Sequence, residues 1–125
     1  MFLMNPMTIN PQRGEVWLVN FQPQVGDEIR KARPALVLNA NGVTRLELRI
    51  IIPITDWKDS YQHHYTKVHL LPTGQNGLTK PSAADAFQVK NVSIQRFIGP
   101  QPQGGLTMAE IQDVCVALRI ATAMR

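Results

Sequence analysis

The fold class this sequence predicts is a small α+β domain, in which short antiparallel strands curl into a barrel and one helix follows. Three observations predict it. Apolar, β-branched segments recur along the first ninety residues, and Gly, Pro or Asn bounds most of them. Helical spacing of apolar residues sets in only after Gly105. The chain has 125 residues, 44% apolar and 18% charged, which suits one domain with a modest core and neither a disordered chain nor a coiled coil.

Residues 1–10 are expected to form a loose tail, and residues 11–125 a single domain. Met1-Phe2-Leu3-Met4-Asn5-Pro6 is too short for a signal peptide and lacks its positive start. The first strand follows Arg13-Gly14-Glu15 and runs Val16-Trp17-Leu18-Val19-Asn20-Phe21. It is apolar on both faces, as a strand buried on both sides requires. Gln22 to Ala32 is polar, contains Pro23 and Gly26, and predicts a long loop of the kind that carries function.

The second strand is expected over Ala35–Asn39, with a tight turn at Asn41-Gly42. The third is Arg45–Ile52. Leu46, Leu48, Ile50 and Ile52 share one face, and Arg45, Glu47 and Arg49 the other. Pro53 should end it, because proline brings no donor to a ladder. Ile54-Thr55-Asp56-Trp57 then leaves as a loop. Further strands are predicted over Tyr65–Leu71, closed by Pro72-Thr73-Gly74, and over Ser82–Lys90. Gly99–Gly105 is a Pro/Gly linker. Thr107-Met108-Ala109-Glu110 has capping-box spacing. Beyond it Ile111, Val114, Cys115, Leu118 and Thr122 form one stripe of a helix of about four turns.

Thirteen basic residues against nine acidic give a net charge of +4, and the pI is about 9.6. A polyanion is a fitting partner for such a chain. The single cysteine, Cys115, excludes an internal disulfide and is compatible with a reducing cytoplasm. Its place on the helix stripe suits a small buried hydrophobe. No apolar run approaches the ~20 residues of a membrane span. A cytoplasmic protein without a membrane partner is expected.

The chemistry centres on Arg30-Lys31-Ala32-Arg33-Pro34. Proline disfavours a helical residue before it, so Arg33 is held extended at the base of an apolar strand. Thr55 sits at the exit of the third strand. If strands two and three pair antiparallel, a small stagger brings Arg33 and Thr55 to one rim. A guanidinium and a hydroxyl there make a phosphate site, one clamping in bidentate fashion, the other donating without charge. Trp57 is placed either to stack an unpaired base or to cover the end of the barrel. Trp17, inside a strand, belongs to the core. His63, His64 and His69 suggest acid–base or metal chemistry. Adjacent histidines on a strand point to opposite faces, however, and no cysteine or clustered carboxylate completes a ligand set. An exposed polar loop is the expected setting, with no metal and no cofactor.

Taken together, these segments resemble the MazF/PemK toxins. Arg13-Gly14-Glu15-Val16-Trp17-Leu18-Val19-Asn20-Phe21 resembles that family's opening strand. Pro23-X-X-Gly26-X-Glu28 and Arg33-Pro34-Ala35-Leu36-Val37-Leu38 resemble its loop and second strand. Pro53-Ile54-Thr55, Gln88-Val89-Lys90 and Leu106-Thr107 through Leu118 resemble its third-strand exit, later strand and terminal helix. The likeness covers roughly residues 12–122, in order and spacing.

The resemblance implies a small SH3-like barrel of the PemK/CcdB type, forming a homodimer. It implies a type II toxin: an endoribonuclease that cuts single-stranded RNA at short sequences without a metal ion, leaving a 2′,3′-cyclic phosphate and a 5′-hydroxyl. A cognate MazE-like antitoxin is the implied protein partner. Arg33 and Thr55 inherit the catalytic positions, and Glu28, Arg30, Lys31, Trp57, Asp85 and Gln88 are the expected RNA contacts. One departure stands out. Many members carry an acid just before the later strand's Gln, where this chain has Phe87. On a continuous strand Asp85, two residues earlier, would share its face, which leaves two readings: Asp85 substitutes for that acid, or it is unrelated to it. Two rival readings stay open: an RNA-binding module without catalysis, and a toxin of the same barrel that binds a protein target, as CcdB does.

Overall fold

The computed structural model describes residues 9–22, 26, 32–43 and 47–124. Its strands are β1 (Glu15–Asn20), β2 (Ala32–Val37), β3 (Leu48–Asp56), β4 (Lys67–Leu70), β5 (Ser82–Asp85), β6 (Lys90–Ser93), β7 (Phe97–Ile98) and β8 (Gly104–Gly105), followed by the helix α1 (Met108–Thr122). Every strand pairing is antiparallel, in the order β4-β5-β3-β2-β1-β7, with β6 also on β3 and β8 also on β1. The expected curled sheet with one terminal helix is what the chain forms.

The alternation of β1 explains why both its faces are apolar. Val16 packs with Leu36, Ile52, Ile54, Leu70 and the helix residues Ile111, Val114 and Ala117. Trp17 and Val19 turn the other way, into a second cluster with Ala35, Val37, Ile51, Val92, Ile94 and Phe97. The curl of the sheet thus buries two cores, one under the helix and one on the opposite face.

β3 connects them. Ile51 pairs with Val37 on one edge and Lys90 on the other, and Ile54 pairs with Ala84 of β5. The strand therefore runs through Pro53 to Asp56 rather than ending at Pro53. Pro53 falls where β3 leaves β6 and joins β5, a break in the ladder that tolerates a residue without an N–H. The face assignment of this strand also changes. Ile52 is buried but Ile50 is exposed, because it lies on the stretch paired to β6, away from the cluster under the helix. Arg45 and Leu46 lie outside the described residues.

The strand expected over Ser82–Lys90 is two strands. Between the pairs Ile51↔Lys90 and Ile54↔Ala84, β3 spans two residues and its partner five. The surplus loops out as a short 3-10 turn, Ala86–Gln88. Asp85 causes it: its side chain accepts from the Phe87 N–H at 3.1 Å, an Asx turn that draws the backbone out of the ladder.

The linker is likewise more structured than its composition suggests, since Gly104–Gly105 pairs with Glu15–Val16. A Cβ at Gly104 would lie 2.3 Å from the Gln75 carbonyl oxygen, and one at Gly77 would lie 2.3 Å from that of Gln103. Only glycine permits this close approach, which docks the 75–80 loop on β8. Buried Asn76 then fixes the loop, donating to the Leu71 carbonyl and accepting from the N–H groups of Thr73 and Leu78. The capping box at α1 forms as spaced: Thr107 accepts from the Glu110 N–H, and Glu110 accepts from that of Thr107. Of the predicted stripe, Ile111 and Val114 are buried, Cys115 and Leu118 pack on the core edge, and Thr122 is exposed; Ala117 is the third buried position. Of the expected tail, residues 1–8 lie outside the described residues, Ile9 packs on the second core, and Asn10 accepts a hydrogen bond from Arg49.

Candidate active site

Arg33 lies inside β2, which runs Ala32–Val37 and so begins three residues before the expected Ala35 and ends before Asn39, and it stands opposite Val19 of β1. The pairs Ala35↔Pro53, Leu36↔Ile52 and Val37↔Ile51 lead toward Arg33 and Thr55, which lie beyond the last pair and line one cavity. The paired residues are centred on position 44 rather than on the Asn41-Gly42 step, which is the small stagger expected. Pro34 keeps this end of β2 extended yet brings no donor, and the β2–β3 ladder stops at Ala35. A cavity lies at the strand ends beyond that last pair.

That cavity has a volume of about 120 Å³ and is lined by Arg33, Pro34, Thr55, Asp56, Leu78, Thr79, Lys80, Ser82 and Gln103, among others. Asp56 brings charge to it. One carboxylate oxygen, Oδ1, lies 3.0 Å from Lys80 Nζ and 3.9 Å from a terminal nitrogen of Arg33. All three side chains are well hydrated, at 37% exposure for Arg33, 51% for Asp56 and 59% for Lys80. Lys80 arrives on the glycine-docked loop, and the Ser82 hydroxyl, donating to the Lys80 carbonyl, fixes that loop's return into β5. Lys80 did not stand out in the sequence, and Asp56 did so only as part of the third-strand exit. Lys80 follows a Gly-rich turn with no motif of its own, and only the Gly77–Gly104 contact brings it to the mouth.

The outer face of the β3–β5–β4 sheet leads away from this mouth. Thr55 pairs with Ala83, and Ala83 with His69. Trp57, at the end of β3, reaches across to His69 of β4, where the rings stack at 3.9 Å and 11°. The fully buried methyl group of Ala83 is the small side chain between those strands. Tyr61 packs edge-on to Trp57 at 5.8 Å, with Lys67 Nζ 4.9 Å from its ring centroid. Two histidines thus take part in ring packing, His69 on Trp57 and exposed His64 on Tyr61, while His63 is exposed. The result is a half-exposed aromatic shelf beside a cationic mouth.

The remaining expected residues are placed differently. Glu28, Arg30 and Lys31 lie outside the described residues. Asp85 does not share a face with Phe87. The intervening turn leaves Phe87 70% exposed and buries Asp85 at 5%. The Asp85 carboxylate accepts from the Phe87 N–H and from Gln88 Nε2, and pairs with Lys67 at 3.8 Å. The strand-face argument for Asp85 as a substitute acid therefore fails, because Phe87 is not on a strand. Gln88 is half-buried and donates inward to Asp85. Among the described residues no three His, Cys, Asp or Glu gather as a metal set, and no helix is long and apolar enough to cross a membrane.

Residues 12–122 match the family described as PemK-like, MazF-like toxin of type II toxin-antitoxin system. Endoribonuclease MazF9 of Mycobacterium tuberculosis (strain ATCC 25618 / H37Rv) is 28% identical over 112 residues, which cover 87% of this chain and 93% of that protein. The crystal structure of MazF from Deinococcus radiodurans superposes with a TM-score of 0.71 at 25% identity, covering 91% of this chain and 97% of the other. An endoribonuclease from a Mycobacterial species, solved in complex with its cognate antitoxin, has the same fold, with a TM-score of 0.70 at 17% identity over 93% and 98% of the two chains. With the curled antiparallel sheet, the terminal helix and the match along nearly its whole length, the chain belongs to the PemK-like, MazF-like family of toxins from type II toxin–antitoxin systems.

Proposed function

We propose that this toxin is a metal-independent endoribonuclease that cleaves single-stranded RNA at short sequences to 2′,3′-cyclic phosphate and 5′-hydroxyl ends. The observation that supports this is that Arg33 and Thr55, two residues from different strands, line one small cavity.

In this reading a ribose 2′-hydroxyl attacks the adjacent phosphorus. The P–O2′ bond forms, the P–O5′ bond breaks, and the 2′-hydroxyl proton passes to a base or to water. Negative charge grows on the non-bridging oxygens and on the departing 5′-oxygen, which takes a proton from water and ends as a hydroxyl. Arg33 stabilises that charge; a guanidinium scarcely deprotonates, so it is a cation here and not a base. Thr55 holds a phosphoryl oxygen or the 2′-hydroxyl. Arg30 and Lys31 grip flanking phosphates, so binding weakens with salt. Trp57 carries a neighbouring base on the aromatic shelf. Asp85 serves the turn, since its carboxylate is already committed to three partners, and Gln88 is one of the three. The protein acts as a cytoplasmic homodimer and is neutralised by a MazE-like antitoxin.

The test is incubation of the purified protein with long single-stranded RNA in excess EDTA, with analysis of the ends. Discrete cuts bearing cyclic phosphate and 5′-hydroxyl termini are expected. Dependence on added divalent metal would place the protein in another nuclease class. The exposed Phe87, standing where many relatives carry an acid, favours one second reading, an RNA binder without catalysis. Binding without cuts would select it.

A further inference from the structure

We propose that Lys80 is the second cation of the phosphate site and that Asp56 occupies that site in the free toxin, as an internal counter-ion that the scissile phosphodiester displaces. This rests on the reading of the Arg33–Thr55 cavity as the place where RNA is held.

Three observations carry it. Both cations meet the same oxygen of one carboxylate, Asp56 Oδ1, and so lie no more than about 6.9 Å apart. Two charge-assisted bonds of about 2.8 Å each, with the width of one phosphate between them, span such a gap. Secondly, Arg33, Thr55, Asp56 and Lys80 all line one cavity. A phosphodiester that enters it beside Arg33 and Thr55 therefore meets Lys80 as well. Thirdly, the ion pairs are exposed on every side chain. Hydrated pairs of this kind are weak and exchange readily, so a phosphodiester held by two cations and a hydroxyl replaces the carboxylate at little cost.

The arrangement has a consequence for regulation of the site. Two cations fixed near each other repel, and with no anion between them their side chains would splay into solvent. Asp56 holds them converged while no RNA is bound. It also competes with RNA, so it lowers affinity in return for order. Lys80 contributes to binding as a point charge on a flexible stem, whereas Arg33 supplies the planar fork beside the reacting phosphorus. Lys80 is a positioning and affinity residue in this scheme, acting on the same phosphate.

The experiment measures binding of a mixed-sequence, fully 2′-O-methylated RNA oligonucleotide, which cannot be cut, across a salt series, alongside cleavage of unmodified RNA. Lys80→Ala is expected to weaken binding about tenfold and to flatten the plot of log affinity against log salt by about 0.7, the loss of one single-strand phosphate contact. Lys80→Arg should restore both. Asp56→Asn should tighten binding several-fold, because it removes the competitor and keeps the shape. An unchanged salt slope in Lys80→Ala, or weaker binding by Asp56→Asn with a wild-type melting curve, would overturn the proposal. Failure of the wild-type protein to cut RNA would instead overturn the nuclease reading, while the binding series still judges Lys80 and Asp56.

Discussion

Two aspartate–lysine pairs, one built on the end of β3 and one on the end of neighbouring β5, have opposite characters. At the mouth, Asp56 and Lys80 are both more than half exposed and lie 3.0 Å apart. At the β5–β6 bulge, the side chains of Asp85 and Lys67 are 7% and 18% exposed, and the carboxylate also accepts from the Phe87 N–H and Gln88 Nε2. The same two side-chain types serve exchange in one place and structure in the other. Hydration makes the difference. An exposed pair is cheaply broken, so it suits a site that must admit an anion. A buried carboxylate left with an unsatisfied partner is costly, so it locks a turn.

The largest expected effect separates the two regions outright. Arg33→Ala should lower RNA cleavage by at least two to three orders of magnitude, as loss of a transition-state charge stabiliser does, while leaving the denaturation midpoint close to wild type. Cleavage at near wild-type rates would remove Arg33 from the reaction. The reverse pattern is expected at the bulge. Asp85→Ala should cost about 2–4 kcal/mol of folding stability, read from urea unfolding, because Lys67 and the Phe87 N–H both lose a buried partner. A stability loss below about 0.5 kcal/mol, the range of ordinary surface changes, would show that the pair at the bulge is as exchangeable as the one at the mouth.

A smaller effect sharpens where the mouth ends. Trp57→Ala should weaken binding of single-stranded RNA by about 1–2 kcal/mol, the worth of one stacked base, and lower the salt slope little. If the unfolding midpoint falls and RNA affinity does not, the indole serves only as a cover over Ala83 and His69.

The resemblance and the strand pattern foresaw much of this fold, and the misses share one cause. The Arg-Pro step, the Asn-Gly turn and the capping box are local chemistry, and each can be read from a few neighbouring residues. Pro53 and Asp85 were misjudged because their roles depend on which strand lies alongside. Proline should end an isolated strand, but here it falls where β3 exchanges one partner for another. An aspartate within an apolar stretch reads as a face residue, but here it ends β5 and caps the turn that takes Phe87 off the strand. Lys80 was overlooked because nothing near it in the chain marks it. A contact between Gly77 and the Gln103 backbone, far along the chain, puts it where it matters.

Short-range preferences alone specify which segments are strands, where the helix begins and that Arg33 is held extended. Period-two and period-3.6 patterns and side-chain caps act over a few residues, so they survive without knowledge of the rest. The meeting of Arg33, Thr55, Asp56 and Lys80 is a tertiary result. It needs the register of β2 on β3 and the docking of a loop on β8, and both are settled by burying two apolar faces at once.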